Sequence, residues 1–100
     1  MNRSTIYEFL RKETDLELRF TKISNGNYPV LKAPLTWDSP FLIVNNWRIT
    51  DFQAIVLFSN ELVVRFSLCG DAQINIPYKN IEYIEVHDEL DIGYQKLYHK

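Results

Sequence analysis

The sequence predicts a mostly β fold of the α+β kind, in which one N-terminal helix precedes roughly six or seven short antiparallel strands forming a small barrel or sandwich. Three observations predict this class. Apolar residues near the start recur with helical spacing, an alternation of period two begins at Leu16, and turn-forming residues then separate short apolar segments. The 100 residues provide a single domain with one core.

The helix is predicted over residues 5–12. Thr5 and Glu8 have the spacing of a capping box, in which a hydroxyl and a carboxylate satisfy the first backbone amides. Three apolar side chains then fall on one face: Ile6, Phe9 and Leu10. Because so short a helix is unstable alone in water, we expect this face to pack against the domain or against a second copy.

A hairpin is predicted next. Residues 16–21 alternate between apolar and polar, as a half-buried strand does, and residues 24–27 form a turn centred on an Asn-Gly pair. The second strand covers residues 28–32. Because Pro29 has no N–H to donate, we expect this strand at a sheet edge, or Pro29 near the strand's start.

The remaining chain is predicted as an irregular segment followed by a meander. Two prolines interrupt residues 33–40, residues 41–45 form an apolar strand covered on both faces, and residues 46–51 form a connection. Further strands are predicted at 53–58, 61–69, 72–76 and 81–86. Residues 88–100 are polar and are expected to form a loose tail.

Composition disfavours several classes of function. The net charge of −2 gives no electrostatic basis for binding nucleic acid. No apolar run approaches the length of a membrane helix, so we expect no membrane partner. Cys69 is the single cysteine, which excludes an intrachain disulfide and suits the reducing cytoplasm, where we expect the protein to be located.

Residues able to perform chemistry are few. Cys69, His87 and Asp88 can be written as a triad, but their spacing matches no known catalytic motif, and Cys69 is expected as a plain thiol on a polar strand face. One cysteine and two histidines do not provide the ligands of a zinc site. We therefore predict no enzyme activity, no metal and no cofactor.

Aromatic residues around the irregular segments are the best candidates for function. Four lie there, and they either cap the end of the barrel or line a recognition groove: Tyr28, Trp37, Phe41 and Trp47. If the strand with Pro29 is an edge, it offers backbone groups to an extended peptide. The predicted peptide groove takes apolar pockets from Tyr28, Val30 and Phe41, and polar anchors from Asn45 and Arg65.

Several strings resemble the ClpXP adaptor family typified by stringent starvation protein B. They are Ile6-Tyr7-Glu8-Phe9-Leu10, Asn60-Glu61-Leu62-Val63-Val64-Arg65-Phe66 and Ile74-Asn75-Ile76-Pro77. The resemblance covers about residues 6–88. It implies an Sm-like barrel that binds unstructured degradation-tag peptides in a surface groove and delivers them to a ClpX-type unfoldase. It also implies a homodimer formed through the helix residues Tyr7, Phe9 and Leu10.

The chain departs from that family at two places. The family's Gly-Gly-Ile-Pro loop is replaced by Cys69-Gly70-Asp71-Ala72, and the family's long docking tail is not found by residue 100. The resemblance therefore implies the fold and the peptide groove, whereas delivery would need a tail beyond residue 100.

Two other interpretations remain open. A small inhibitor or immunity-type protein could block a partner with an acidic strand face, for which the sequence offers Glu82, Glu85, Asp88, Glu89 and Asp91. A pleckstrin-like barrel would suit the string Ile76-Pro77-Tyr78-Lys79-Asn80-Ile81 before a final strand. That class ends in a long helix, and residues 88–100, which include Gly93, are poor helix formers.

Overall fold

A computed structural model of the chain describes residues 1–14, 16–33, 41–66, 72–87 and 94–98. These ranges contain helix α1 (Arg3–Glu13), a short 3₁₀-helix (Tyr78–Asn80) and nine strands. The strands are β1 (Glu17–Ile23), β2 (Gly26–Lys32), β3 (Phe41–Val44), β4 (Trp47–Ile49), β5 (Phe52–Leu57), β6 (Glu61–Phe66), β7 (Gln73–Pro77), β8 (Tyr83–His87) and β9 (Tyr94–Tyr98). The predicted mostly β fold with an N-terminal helix is confirmed.

The strands form two antiparallel sheets. The five-stranded sheet has the order β1-β2-β5-β6-β7, and the four-stranded sheet has the order β4-β3-β8-β9. Their inner faces share one core, as in a small sandwich. The five-stranded sheet contributes Leu31, Ile55, Leu57, Leu62 and Val64 to this core, and the four-stranded sheet contributes Leu42, Val44, Ile49, Ile84 and Val86.

Two of the nine strands lie where the sequence predicts none. Strand β4 falls in the predicted connection, because Asn45 has a φ of 56° and reverses the chain, so that Val44 pairs with Trp47. Strand β9 falls within the predicted loose tail and pairs with β8, with Tyr98 opposite Tyr83. The other residues of that tail, 88–93 and 99–100, lie outside the described ranges.

Helix α1 begins earlier than predicted. Asn2 is the N-cap, and its side-chain oxygen accepts a hydrogen bond from the Thr5 backbone N–H at 2.9 Å. Glu8 does not complete a capping box, because Thr5 occupies the position three residues after the N-cap; Glu8 instead forms ion pairs with Arg11 and Lys12 at 3.2 and 2.9 Å. The predicted apolar face is buried in the common core, and the helix lies against β2 and β9.

The hairpin of β1 and β2 differs from the prediction in two respects. Its turn is Ser24–Asn25, with a φ of 54° at Ser24, so the turn lies one residue before the Asn-Gly pair. Strand β2 is not an edge, since β1 and β5 flank it. Pro29 is tolerated there because β2 pairs with β5 only from Val30 onward.

Within the described ranges, no helix has both the length and the apolar character needed to cross a membrane.

Candidate functional site

Three of the five predicted peptide-binding residues share the outer face of the five-stranded sheet. Tyr28, Val30 and Arg65 alternate with core residues on their strands and therefore point away from the core. Val30 is buried in a small second cluster with Ala54, Val56 and Val63, and Tyr28 packs its ring 4.9 Å from that of Phe58. Arg65 remains exposed.

Phe41 lies on the other side of the molecule. It alternates with the core residue Leu42, so it points outward from the four-stranded sheet. Its ring stacks on that of His87 with centroids 4.5 Å apart and an angle of 7°, and the Arg48 guanidinium lies 4.0 Å from its centroid. The predicted groove therefore does not form as one site, because Phe41 and Tyr28 lie on opposite outer faces.

The side chain of Asn45, the fifth predicted residue, forms hydrogen bonds to the backbone of the same chain. Its side-chain oxygen accepts hydrogen bonds from the backbone N–H groups of Glu82 and Tyr83, at 2.8 and 3.3 Å. Its side-chain NH₂ donates to the Asn80 carbonyl at 2.8 Å. These bonds tie the turn between β3 and β4 to the segment before β8, so Asn45 is a structural residue rather than a free polar anchor.

The predicted dimer-interface residues lie largely inside the chain. Phe9 and Leu10 are 6% and 0% exposed and belong to the common core. Tyr7 is half-buried, with the Arg11 guanidinium 5.8 Å from its ring centroid. The apolar face of α1 is therefore covered by the domain itself, and only Tyr7 of the three reaches the surface.

The residues of the acidic alternative do not form an open face in the described part of the chain. Glu82 is exposed, but Glu85 is 8% exposed and lies 3.2 Å from the His87 ring nitrogen. Asp88, Glu89 and Asp91 lie outside the described residues. Cys69 and Trp37 also lie outside them, so the predictions about the thiol and that aromatic side chain have no structural counterpart here.

A groove of about 680 Å³ opens where α1 begins, beside the turn between β5 and β6 and the 3₁₀-helix. Its charged lining residues are Arg3, Glu61 and Lys79. The Tyr78 hydroxyl donates to the Phe58 carbonyl at 2.6 Å, and burial raises the pKa of Tyr78 to about 12, against the smaller opposing effect of Arg3. Tyr78 therefore acts as a neutral hydrogen-bond donor that closes this end of the sandwich.

Two exposed aromatic side chains mark the edges of the sheets. Among the described residues, the large apolar side chains that are exposed are Phe20, at 56%, and Trp47, at 52%. Phe20 lies on β1 and Trp47 on β4, and each strand is the outermost of its sheet. The sequence indicates Trp47 as a candidate but not Phe20, because the alternation from Leu16 places Phe20 on the same strand face as the buried Leu16 and the half-buried Leu18.

Strand β1 is open to solvent along most of its length. Five of its seven residues are exposed, and it has one neighbour, β2, among the described strands. Its other side therefore carries backbone N–H and C=O groups with no strand partner in the described part of the chain. This edge, together with Phe20, is the strongest candidate for a binding surface.

Searches against protein-family models, curated proteins and solved structures find no match to this chain. The resemblance to the ClpXP adaptor family therefore depends on the local strings of this sequence alone.

Proposed function

We propose that this chain is a non-enzymatic binding domain that recognises an extended, unstructured segment of another protein. The observation that carries the proposal is that Phe20 and Trp47, the exposed large apolar side chains of the described chain, both lie on edge strands. An edge strand offers unpaired backbone groups to an extended segment, and an exposed aromatic side chain adds a contact of large area.

Degradation tags for a ClpX-type protease are the first peptides that we propose as partners. They are unstructured, as strand addition requires, and the resemblance to the ClpXP adaptor family favours them. On this proposal the two sheets correspond to the Sm-like barrel of that family, the chain works in the cytoplasm as a homodimer, and a ClpX-type unfoldase receives the tagged protein.

The two alternatives have less support. An inhibitor acting through an acidic face would need Glu85 accessible, yet this carboxylate is largely buried beside His87. A pleckstrin-like barrel would end in a helix, whereas residues 94–98 form strand β9.

A titration of the isotope-labelled chain with a degradation-tag peptide tests the proposal, with a peptide of the same composition in scrambled order as the control. We expect saturable backbone amide shifts on β1 or β4 at a dissociation constant of about 1 μM, or about −8 kcal/mol. Phe20→Ala or Trp47→Ala should weaken binding by about 1–2 kcal/mol, because each removes an aromatic anchor. Shifts confined to residues 82–87 would instead favour the inhibitor, and no saturable binding by any unstructured peptide would contradict the proposal.

A further inference from the structure

We infer that the outer edge of β1 accepts an antiparallel peptide strand with the pattern acidic–any–apolar–any–apolar from N to C. The acidic residue and the two apolar residues of this peptide lie on the core side of the sheet. The inference depends on the proposed function and deepens it, since it names the edge that binds and the class of peptide that fits. Three features of β1 carry it: a backbone side with no strand partner in the described part of the chain, the identity of its alternating side chains, and the distribution of charge along it.

The backbone side of β1 that faces away from β2 has no strand partner among residues the structure describes, and it suits an extended occupant. At about 3.3 Å per residue, seven residues give an edge of about 23 Å, long enough for several ladder hydrogen bonds. Strand β4, the other edge with an exposed aromatic, has three residues. Edge strand β7 has five residues and no exposed large apolar side chain. Of these edges, β1 offers the longest ladder together with an apolar anchor.

The alternation along β1 sets where the partner's apolar residues lie. Leu18 packs against the core, so Phe20 and Lys22 point to the same side of the sheet as Leu18. Because Leu18 is half-buried and Phe20 is exposed, together they form an apolar strip at the border of the core. A strand added beside β1 would cover this strip with every second side chain.

Charge distinguishes the two sides of β1. On the outer side, Glu17 holds the Arg19 guanidinium at 2.7 and 3.0 Å, so the pair presents little net charge to a partner. On the core side, Lys22 is exposed and has no ion pair in the part of the chain that the structure describes. A carboxylate directly opposite Lys22 would complete a cross-strand pair, whereas small polar residues suit the outer side.

Strand direction follows from the sheet. All pairs in the five-stranded sheet are antiparallel, and antiparallel pairing is slightly more stable per residue than parallel pairing. An antiparallel partner meets Lys22 first, then Phe20, then Leu18. The acidic residue of the peptide must therefore precede its two apolar residues.

Fluorescence anisotropy with labelled model peptides tests this order. The probe has the sequence SDTVTVTS, and its control is the reversed sequence STVTVTDS, which has the same composition and charge. We expect the probe to bind more tightly than its reverse. Phe20→Ala should weaken probe binding about 5- to 30-fold, and Thr50→Ala, at an exposed position outside the strands, should leave it unchanged.

A charge exchange locates the carboxylate. Lys22→Glu should weaken binding of SDTVTVTS about fivefold and should be rescued by the peptide SKTVTVTS, which restores opposite charges. Lys79→Glu is the matched control, since Lys79 is exposed but lies outside β1. If SKTVTVTS gains affinity with Lys22→Glu and not with Lys79→Glu, the two charges face each other, because a general electrostatic effect would raise its affinity for both variants.

Backbone methylation separates strand addition from other modes of binding. In a ladder, every second peptide N–H points at the edge, so N-methylation of one alternate set should abolish binding and methylation of the other set should not. Equal effects of both sets, or no loss with Phe20→Ala, would overturn the inference.

The remaining outcomes distinguish the inference from the proposed function. If a degradation-tag peptide binds but loses affinity only with Trp47→Ala, the inference is wrong and the proposed function stands. If neither model nor tag peptides bind, both are wrong. If sedimentation shows a dimer that Phe20→Ala dissociates, the occupant of the edge is a second copy, and the inference is again wrong.

Discussion

The Asn45 side chain joins backbone segments that lie more than thirty residues apart in sequence. Its backbone has a φ of 56°, a conformation that asparagine tolerates better than most residues. The side chain then satisfies the Asn80 carbonyl and the N–H groups of Glu82 and Tyr83, which precede or begin β8. One residue thus determines both the turn into β4 and the position of β8.

We expect Asn45→Ala to lower the free energy of unfolding by about 2–4 kcal/mol, because three hydrogen bonds are lost and alanine is strained at positive φ. Asn45→Gly should lose less stability than Asn45→Ala, because glycine is not strained at positive φ although the three hydrogen bonds are still missing. Urea denaturation measures both changes. Asn25→Ala, at an exposed turn position with a φ outside the positive range, is the control and should cost less than about 0.5 kcal/mol. Similar small losses at Asn45 and Asn25 would contradict the structural role.

At the level of elements, the sequence predicts where strands form better than it predicts which strands pair with each other. Alternation from Leu16 and the turn near Asn25 identify the hairpin, since both signals are local. Strand β2 is internal because Val30 pairs with Val56. These two residues lie far apart in sequence, and no local sequence signal indicates that they pair. The predicted edge was therefore assigned to β2 instead of β1.

Boundaries were missed where two local solutions compete. Asn2 and Thr5 are both good N-cap residues, and the helix begins at the earlier one, where the Asn2 side-chain oxygen accepts hydrogen bonds from the Thr5 backbone N–H and the Thr5 hydroxyl. Strand β4 has three residues, too few for an alternation to be recognised, and it depends on the backbone conformation of Asn45.

The packing of α1 predicts how its aromatic residues respond to truncation. Phe9→Ala should cost about 3–5 kcal/mol of stability, because the ring is buried in the core of a single chain. The loss should not depend on protein concentration, which thermal denaturation at several concentrations checks. Tyr7→Ala, which truncates the half-buried aromatic side chain of the same helix, is the control and should lower the free energy of unfolding by less. If Phe9→Ala leaves the stability of the chain unchanged and instead dissociates a dimer, the predicted dimer interface at the helix would be supported.

At the scale of the whole molecule, the candidate site could not be predicted because it depends on which sheet each strand joins. Alternation correctly groups Tyr28 with Val30 on one strand face, but it gives no sign that Phe41 belongs to the opposite sheet. A common core between the sheets separates these residues by the full thickness of the sandwich. The exposed edges emerge only once the order of strands in each sheet is known.

The common core also predicts that both sheets unfold together. Leu57 lies on the five-stranded sheet and Ile84 on the four-stranded sheet, and both are fully buried in the same cluster. We expect Leu57→Ala and Ile84→Ala each to destabilise the chain by about 2–5 kcal/mol while leaving one cooperative transition, because neither sheet keeps its inner face covered alone. Near-ultraviolet and far-ultraviolet circular dichroism should give coincident unfolding curves, and Phe20→Ala, at an exposed position, should shift them by less than about 0.5 kcal/mol. Two separate transitions, each sensitive to one substitution only, would mean that the sheets have independent cores.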